Sequence, residues 1–246
     1  MITLSVKKIC GLALVCGLGA AADAQAFDYL VLAASWEPGF CATTGGKPEC
    51  ATLAGTRSAS KLALHGYWPN NYQGQQPFYC DAPANDVQLD KNHAWCRMDT
   101  YAVSDATLKN LGIYMPGLES CLDKHEWYKH GTCAGTPTPD DYWNVASNLM
   151  NHLGNTSFNG FIAKYAGVMV TREHLLTAFE DSFGANTRNG VALKCTKYKG
   201  KNYLSEAWIM VNSAAVDQFP GAAALVTNSN IKGNCPLSGI YIASAH

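Results

Sequence analysis

Residues 29–34 read Tyr-Leu-Val-Leu-Ala-Ala, an apolar run that is long enough for a buried β-strand and too short for a typical helix. Residues 36–39, Trp-Glu-Pro-Gly, follow it with turn chemistry. A second strand is predicted over residues 61–65, before a glycine and a proline. Its alternation places two leucines on one face and His65 on the other. We therefore expect His65 on the less apolar face, at the end of a strand.

The rest of the chain alternates between helical and strand-like patterns. Residues 70–95 predict a long loop, and strands are expected again near the end, over 203–211 and 239–243. Four helices are predicted between the strands, over 104–112, 121–130, 139–153 and 171–183. This order predicts an α+β fold, a central antiparallel β-sheet flanked by helices, within a single domain over 27–246.

Residues 1–26 predict a secretory signal peptide. Lys7 and Lys8 supply its charged start, an apolar run follows, and residues 24–26, Ala-Gln-Ala, give the small-x-small cleavage pattern. A membrane anchor is the alternative, but the apolar run is short for one. We expect a mature chain from about Phe27 that is periplasmic or secreted, with no membrane segment once the signal is removed.

The cysteines agree with export. Two of the ten fall in the predicted signal, which leaves an even set of eight in the mature chain. Such a set predicts four disulfides that staple the fold. A zinc site is the alternative, but the sequence has no Cys-x-x-Cys and the spacings are wide. The pairing stays open, because eight cysteines allow many connectivities.

Charge limits how the protein could hold a nucleic acid. The full chain has 18 basic and 19 acidic side chains. Removing Lys7, Lys8 and Asp23 leaves 16 and 18, a net charge of −2. A protein that binds RNA through its overall field normally carries a basic surplus. Contact with RNA must therefore be local, as suits an enzyme that releases its product.

Residues 125–133, His-Glu-Trp-Tyr-Lys-His-Gly-Thr-Cys, are the most informative segment for chemistry. On a helix, His125, Glu126, Lys129 and His130 fall within an arc of about 140°, and the two aromatic residues point toward the core. One turn therefore presents two imidazoles, a carboxylate and an ammonium group together.

Three hypotheses compete for this cluster. A solvated helix face with i,i+4 pairs is the plainest. A zinc hydrolase of the His-Glu-x-x-His type needs histidines four residues apart, whereas His125 and His130 are five apart and Lys129 places a cation beside the site. Phosphoryl transfer without a metal needs a base, an acid and fixed positive charge, which these residues and a further histidine supply. We favour the third hypothesis and expect neither a metal nor a cofactor.

Two segments resemble the active-site segments of the ribonuclease T2 family: residues 64–69, Leu-His-Gly-Tyr-Trp-Pro, and residues 125–133. Residues 27–29 and 35–41 are similar to the family's first strand and turn. The sequence departs from the family at Tyr67, where leucine is usual, and at Asp123, where an aromatic residue is common.

The resemblance implies an endoribonuclease of broad specificity and assigns roles residue by residue. His130 would take the proton of the ribose 2′-hydroxyl, and His65 would protonate the departing 5′-oxygen. His125 would hold the phosphate, while Glu126 and Lys129 would stabilise the transition state. A 2′,3′-cyclic phosphate would form first, as in a lyase, and would then be hydrolysed to a 3′-phosphate. DNA should survive, since it lacks the 2′-hydroxyl.

The resemblance also implies two disulfides, Cys80–Cys133 and Cys195–Cys235. The cysteines left over would then pair as Cys41–Cys50 and Cys96–Cys121.

Two aromatic residues are candidates for binding RNA bases. Trp68 could be a stacking platform, with core packing as an equal alternative, and Tyr72 lies in the loop that follows. The partner is expected to be RNA, and the protein is expected to be a monomer. An inactive member that only binds RNA is the rival hypothesis, and the intact cluster argues against it.

Overall fold

The protein is described by a computed structural model that covers residues 27–73 and 76–245. The predicted signal peptide lies outside the described residues. Within them, one sheet contains six strands, β1 (Tyr29–Ser35), β2 (Ala63–Asn70), β3 (Met169–Val170), β4 (Val191–Tyr198), β5 (Lys201–Val211) and β6 (Ile240–Tyr241). The strand order is β2-β1-β5-β6-β3, and β4 pairs with β5. All these pairings are antiparallel except β5 with β6, so the predicted α+β class is confirmed.

Eight α-helices surround the sheet within the described residues. They are α1 (Glu37–Thr44), α2 (Pro48–Ala51), α3 (Ala84–Lys91), α4 (Asp105–Tyr114), α5 (Leu122–Lys129), α6 (Pro139–Leu153), α7 (Ser157–Lys164) and α8 (Arg172–Phe183). Four begin at a hydroxyl N-cap whose side chain accepts an N–H of the first turn, Ser104, Thr138, Thr156 and Thr171. All four helices predicted from the sequence are present.

The structure differs from the sequence-based expectations in several segments. The turn expected at 36–39 opens α1, because Pro38 lies in the first turn, where its missing N–H is harmless. The loop expected over 70–95 contains α3. Strand β2 runs on through Pro69, which the outer position of β2 in the sheet tolerates. Helix α7 and strand β4 were not predicted.

A β-bulge in β2 positions the first functional histidine. Ala33 of β1 pairs with Gly66, whereas the next residue, Ala34, pairs with Leu64. His65 is therefore the extra residue of the bulge. Regular alternation would put His65 and Trp68, three apart, on opposite faces. The bulge brings them to one face, and their ring centroids lie 5.2 Å apart.

The two faces of the sheet differ in what covers them. Helices α4, α6, α7 and α8 pack on one face and form the main core, which also contains Leu32, Leu64 and Tyr67. The opposite face carries a smaller apolar cluster, formed by Tyr29, Val31, Ala33, Trp68, Met210 and Val226. The histidine cluster lies beside this second face. Among the described residues, no helix has the length and apolar character needed to cross a membrane.

Four disulfides join the eight cysteines of the described chain. The pairs are Cys41–Cys50, Cys80–Cys133, Cys96–Cys121 and Cys195–Cys235, the pairs expected above. Cys80–Cys133 ties the segment after β2 to the turn after α5. It therefore links the segment around Phe78, which follows the strand that carries His65, to the turn that follows His130.

Candidate active site

Three histidines converge on one carboxylate. Nε2 of His65 lies 3.4 Å from Oε1 of Glu126, and Nε2 of His125 lies 3.6 Å from the same oxygen. The ring of His130 lies 6.2 Å from the ring of His125. The sequence places His65 sixty residues before the others, and the packing of β2 against α5 brings them together. One phosphate group could contact all three imidazoles.

Glu126 occupies the centre of the site and is fully buried. Its Oε2 accepts a hydrogen bond of 2.5 Å from the indole N–H of Trp68. Its Oε1 accepts no hydrogen bond from the described residues and faces the two imidazoles. Burial raises the pKa of Glu126, and His65, His125, Trp68 and Lys129 counteract part of that rise.

His130 ends α5 and lies in an apolar surrounding. It is 4 % exposed, and the rings of Trp68 and Phe78 each lie 5.3 Å from its own. Burial, together with the positive charges of Lys129, His125 and His65, holds the pKa of His130 well below its ordinary value. His130 is therefore neutral at neutral pH and can accept a proton.

His65 has the opposite protonation preference. Burial acts to lower its pKa, but the negative charge and hydrogen bond of Glu206, with the charges of Glu126 and Glu37, outweigh burial and raise it to about 9. Its side chain remains 31 % exposed. His65 is therefore protonated at neutral pH and can donate a proton.

His125 is fixed by two neighbours. Its Nδ1 forms a short hydrogen bond with Asp90 of α3, and its ring stacks on Trp95 at 4.6 Å. Asp90 also accepts a hydrogen bond of 2.5 Å from the hydroxyl of Tyr79. Burial acts to raise the pKa of Asp90, but the hydrogen bonds from His125 and Tyr79 and nearby positive charges lower it overall. An ionised Asp90 thus leaves Nε2 of His125 facing Glu126.

Lys129 contributes positive charge at the edge of the cluster. Its ammonium group lies 5.3 Å from the centroid of the Phe78 ring. That charge opposes protonation of His130 and favours the ionised form of Glu126. The face predicted for α5 thus presents its histidines, carboxylate and lysine to one site.

The two tentative base-binding residues differ in exposure. Trp68 is only 8 % exposed, and Trp208 lies edge-on to its ring at 5.1 Å. Together with its hydrogen bond to Glu126, this burial favours the packing alternative over a stacking platform. Tyr72 is 37 % exposed, and its ring lies 5.2 Å from that of Tyr29. Phe78, beside His130, is 44 % exposed.

A cavity of about 370 Å³ opens beside His65, on the side of Trp95 and Ser120. Glu37 and Glu49 line it, and both are buried. Burial and the charge of Glu49 are the main causes that raise the pKa of Glu37 to about 7. The cavity is large enough for a flat ring with polar edges.

Sequence reasoning missed the carboxylates behind the histidines. Glu206 lies 141 residues from His65, and Asp90 lies 35 residues from His125. Neither has a motif around it. The one available signal for Glu206 was an acidic residue within the apolar alternation predicted for residues 203–211.

The donor set could also hold a metal ion. Ligand atoms of His125, Glu126 and His130 all lie within 4.8 Å of one another. Two imidazoles and a carboxylate are donors that suit zinc. Lys129 adds a positive charge to the same turn, which disfavours a cation there.

The fold and the histidine site are those of a disulfide-bonded ribonuclease. The model of the Ribonuclease T2 family matches residues 27–220, and the chain belongs to that family. It is 28 % identical over 228 residues to Ribonuclease I of Escherichia coli K12, covering 85 % of this chain and 84 % of the relative. It is 30 % identical over 128 residues to a ribonuclease of Aeromonas hydrophila, covering 52 % of this chain and 46 % of the relative. The protein is therefore an endoribonuclease.

Solved structures agree on the fold. The self-incompatibility-associated SF11-RNase of Nicotiana alata matches with a TM-score of 0.62 at 17 % identity, covering 88 % of this chain and 99 % of that one. RNase NT in complex with 5′-AMP matches with a TM-score of 0.55 at 17 % identity, covering 88 % and 98 %.

Proposed function

We propose that this endoribonuclease cleaves single-stranded RNA, with little base preference, by metal-independent transphosphorylation through 2′,3′-cyclic phosphates to 3′-phosphate products. The observation that carries the proposal is the convergence on one carboxylate of two histidines whose surroundings shift their pKa values in opposite directions. His130 is neutral and His65 is protonated at the same pH. Groups whose pKa values are pushed apart in this way are typical of a base and an acid that act together.

In the first step, His130 accepts the proton of the 2′-hydroxyl, and the bond from O2′ to phosphorus forms. The bond from phosphorus to O5′ breaks, and His65 donates its proton to O5′. In the second step, the roles reverse: His65 takes a proton from water, and the water oxygen forms a bond to phosphorus. The bond from phosphorus to O2′ breaks, and His130 donates its proton to O2′. Each imidazole thus ends a full cycle in its starting state.

Three other residues act on the phosphate. His125, held by Asp90, donates to a phosphate oxygen, and Lys129 supplies fixed positive charge. Glu126, with one oxygen bonded to Trp68, orients the site and balances the positive charges around it. Charge that is fixed before the reaction stabilises a transition state without reorganisation.

The cavity beside His65 would bind the base of the departing nucleotide, since His65 protonates that nucleotide's oxygen. Phe78, exposed beside His130, would stack on the base that keeps the cyclic phosphate. Relatives of similar fold bind nucleotides: RNase NT is in complex with 5′-AMP, and an RNase MC1 mutant with 5′-GMP. RNA is accordingly the substrate, and DNA should resist cleavage.

Residues 27–246 would form a single monomeric ribonuclease domain that is exported to the periplasm or beyond. The predicted signal over residues 1–26 and the four disulfides support export, because disulfides persist in oxidising compartments. Extracellular ribonuclease LE of Solanum lycopersicum, 29 % identical over 134 residues, is a relative whose name states its location.

Product analysis tests the proposal directly. The sixteen dinucleoside phosphates would be incubated with the protein in the presence of a chelator, and the products separated over time. We expect cyclic phosphates to accumulate first and 3′-phosphates to follow, with deoxy analogues left intact. Intact RNA would support the rival RNA-binding member, and loss of activity only with chelator would support a metal at His125, Glu126 and His130.

A further inference from the structure

A carboxylate on β5 reaches the histidine that is proposed to act as the acid. Oε1 of Glu206 lies 2.5 Å from Nδ1 of His65. Its other oxygen, Oε2, accepts a hydrogen bond of 2.7 Å from the indole N–H of Trp208. The hydroxyl of Ser35 lies 3.5 Å from Oε1. Both oxygens are therefore engaged, and the side chain is only 18 % exposed.

We propose that Glu206 is a positioning residue for His65, whose carboxylate binds Nδ1–H and so presents Nε2 to the scissile phosphate. The inference rests on the proposed function. An imidazole can carry its neutral-state proton on either nitrogen, and the hydrogen bond at one nitrogen decides which. With Nδ1 bound to Glu206, Nε2 is the nitrogen that faces Glu126 and the other histidines. That nitrogen is the one that must exchange the proton with O5′.

The sheet holds Glu206 more firmly than a loop could. Glu206 pairs with Ser35 of β1 on one side and with Lys194 of β4 on the other. Trp208, two residues further along β5, shares its face, and the ammonium group of Lys194 lies 3.9 Å from the Trp208 ring centroid. This support matters because His65 is a bulge residue with no partner residue in the β1–β2 register.

The charges around the pair are consistent with an ionised Glu206. Burial acts to raise its pKa, but His65, the Trp208 hydrogen bond and Lys194 lower it overall. The titratable groups that face His65 are Glu206 from β5, Glu126 from α5, His130 at the end of α5, and Glu37 from α1. Glu206 is the closest of the carboxylates and the one that bonds the ring.

The substitution Glu206→Gln tests this role, since it keeps the size and an acceptor oxygen but removes the charge. The rate constant kcat/KM would be measured from pH 4 to 10 with one dinucleoside phosphate. We expect the basic limb of the profile, where His65 loses its proton, to move down by roughly one to three pH units. Glu206 also lines the cavity proposed for the departing base, but His65, Ser35 and Trp208 engage both of its oxygens, so KM should change less than kcat. Glu173→Gln, an exposed carboxylate on α8, is the matched control and should leave the profile unchanged.

A second measurement does not depend on a variant that folds. ¹⁵N chemical shifts of His65 in the unmodified protein report both its pKa and its neutral tautomer. We expect a proton on Nδ1 above the pKa, and a pKa well above that of a free histidine. The opposite tautomer or an ordinary pKa would overturn the inference. So would a Glu206→Gln enzyme with an unshifted basic limb, whether its rate is normal or uniformly reduced at all pH values.

Failure of this inference can be told apart from failure of the proposed function. If His65→Ala abolishes cleavage while Glu206→Gln leaves the profile unchanged, the acid role stands and only the positioning role falls. If His65→Ala cleaves at a normal rate, the proposed function itself is wrong.

Discussion

At the scale of single residues, the site depends on two histidines, His130 and His65, whose pKa values differ because their surroundings differ. His130 is enclosed by aromatic rings and positive charge, whereas His65 is bonded to a carboxylate. The sequence identified both residues through motifs that lie close to them along the chain. It could not reveal how their pKa values separate, because the causes come from distant elements such as β5 and α1.

Replacing His65 or His130 by alanine should lower kcat by roughly two to four orders of magnitude, the usual contribution of general acid or base catalysis. The measurement is initial-rate cleavage of a dinucleoside phosphate by each variant. His174→Ala, an exposed histidine on α8, is the control and should keep full activity. Near-normal cleavage by either active-site variant would remove that residue's role.

Glu37 should make stability depend on pH. Its pKa rises from an ordinary 4.5 to about 7 on folding, so the folded state keeps a proton that the unfolded state releases. The contribution of Glu37 to the free energy of unfolding is therefore fully present below pH 4.5, and it is lost as pH rises toward 7. Glu37→Gln should therefore gain stability over the wild type, by up to about 3 kcal/mol above pH 7. Urea unfolding at pH 4.5 and pH 8 measures the difference, and an equal difference at both would contradict it.

At the scale of elements, the sequence predicted best where a pattern is local and long. The amphipathic helix over 139–153 was predicted with its exact bounds, since its N-cap, first-turn proline and apolar face all agree. Helix α3 was missed because its short polar sequence lacks an apolar face, and it was expected to be loop. The bulge in β2 was not predicted, because it arises from the register in which β2 pairs with β1. Gly66 is the local signal, since a glycine within a strand often marks a bulge.

Gly66 should be intolerant of a side chain. A methyl group there would overlap the carboxylate of Glu126 and the indole nitrogen of Trp68. Gly66→Ala should therefore lower the free energy of unfolding by about 1–3 kcal/mol. It should also reduce kcat by roughly tenfold or more through displacement of Glu126. Chemical unfolding and cleavage assays measure the two effects.

Gly160→Ala is the matched control, because the residue is helical and the added methyl would meet no atom within 4 Å apart from its chain neighbours and the nearby backbone of α7. It should leave cleavage unchanged and stabilise α7 slightly. Equal behaviour of the two alanine variants would show that the space at Gly66 is not restrictive.

At the scale of the whole molecule, the α+β class followed from the order of patterns, and the disulfide pairing followed from the family resemblance. The strand order could not be predicted, because the pairing of β1 with β5 joins segments from opposite ends of the described chain. Likewise, the convergence of Asp90 and Glu206 on the histidines is a property of the assembled fold. The local sequence marks Glu206 only as an acidic residue within an apolar alternation, and it does not reveal the histidine partner of either carboxylate.

The four disulfides should differ in their effect on stability. Cys80–Cys133 spans 53 residues and Cys41–Cys50 spans 9. Loop-closure entropy then gives about 4 kcal/mol for the first and about 2.5 kcal/mol for the second. Double alanine variants of each pair, unfolded in urea, measure the difference. Loss of the longer bridge should also slow cleavage, as it links the segments around Phe78 and His130. A larger loss from the shorter bridge would contradict this ranking.

The bulge at His65 constrains the length of its segment as well as its composition. Losing any one residue between Leu64 and Trp68 would restore regular alternation to the strand. Loss of His65 or Gly66 would still allow Tyr67 to face the main core and Trp68 to reach Glu126, but one residue opposite Ala33 would then have to replace two. Either the imidazole bonded to Glu206 or the glycine that leaves room for Glu126 would be missing from that position. We therefore expect related proteins to tolerate substitutions between Leu64 and Trp68 where the chemistry permits, but to keep the same number of residues there.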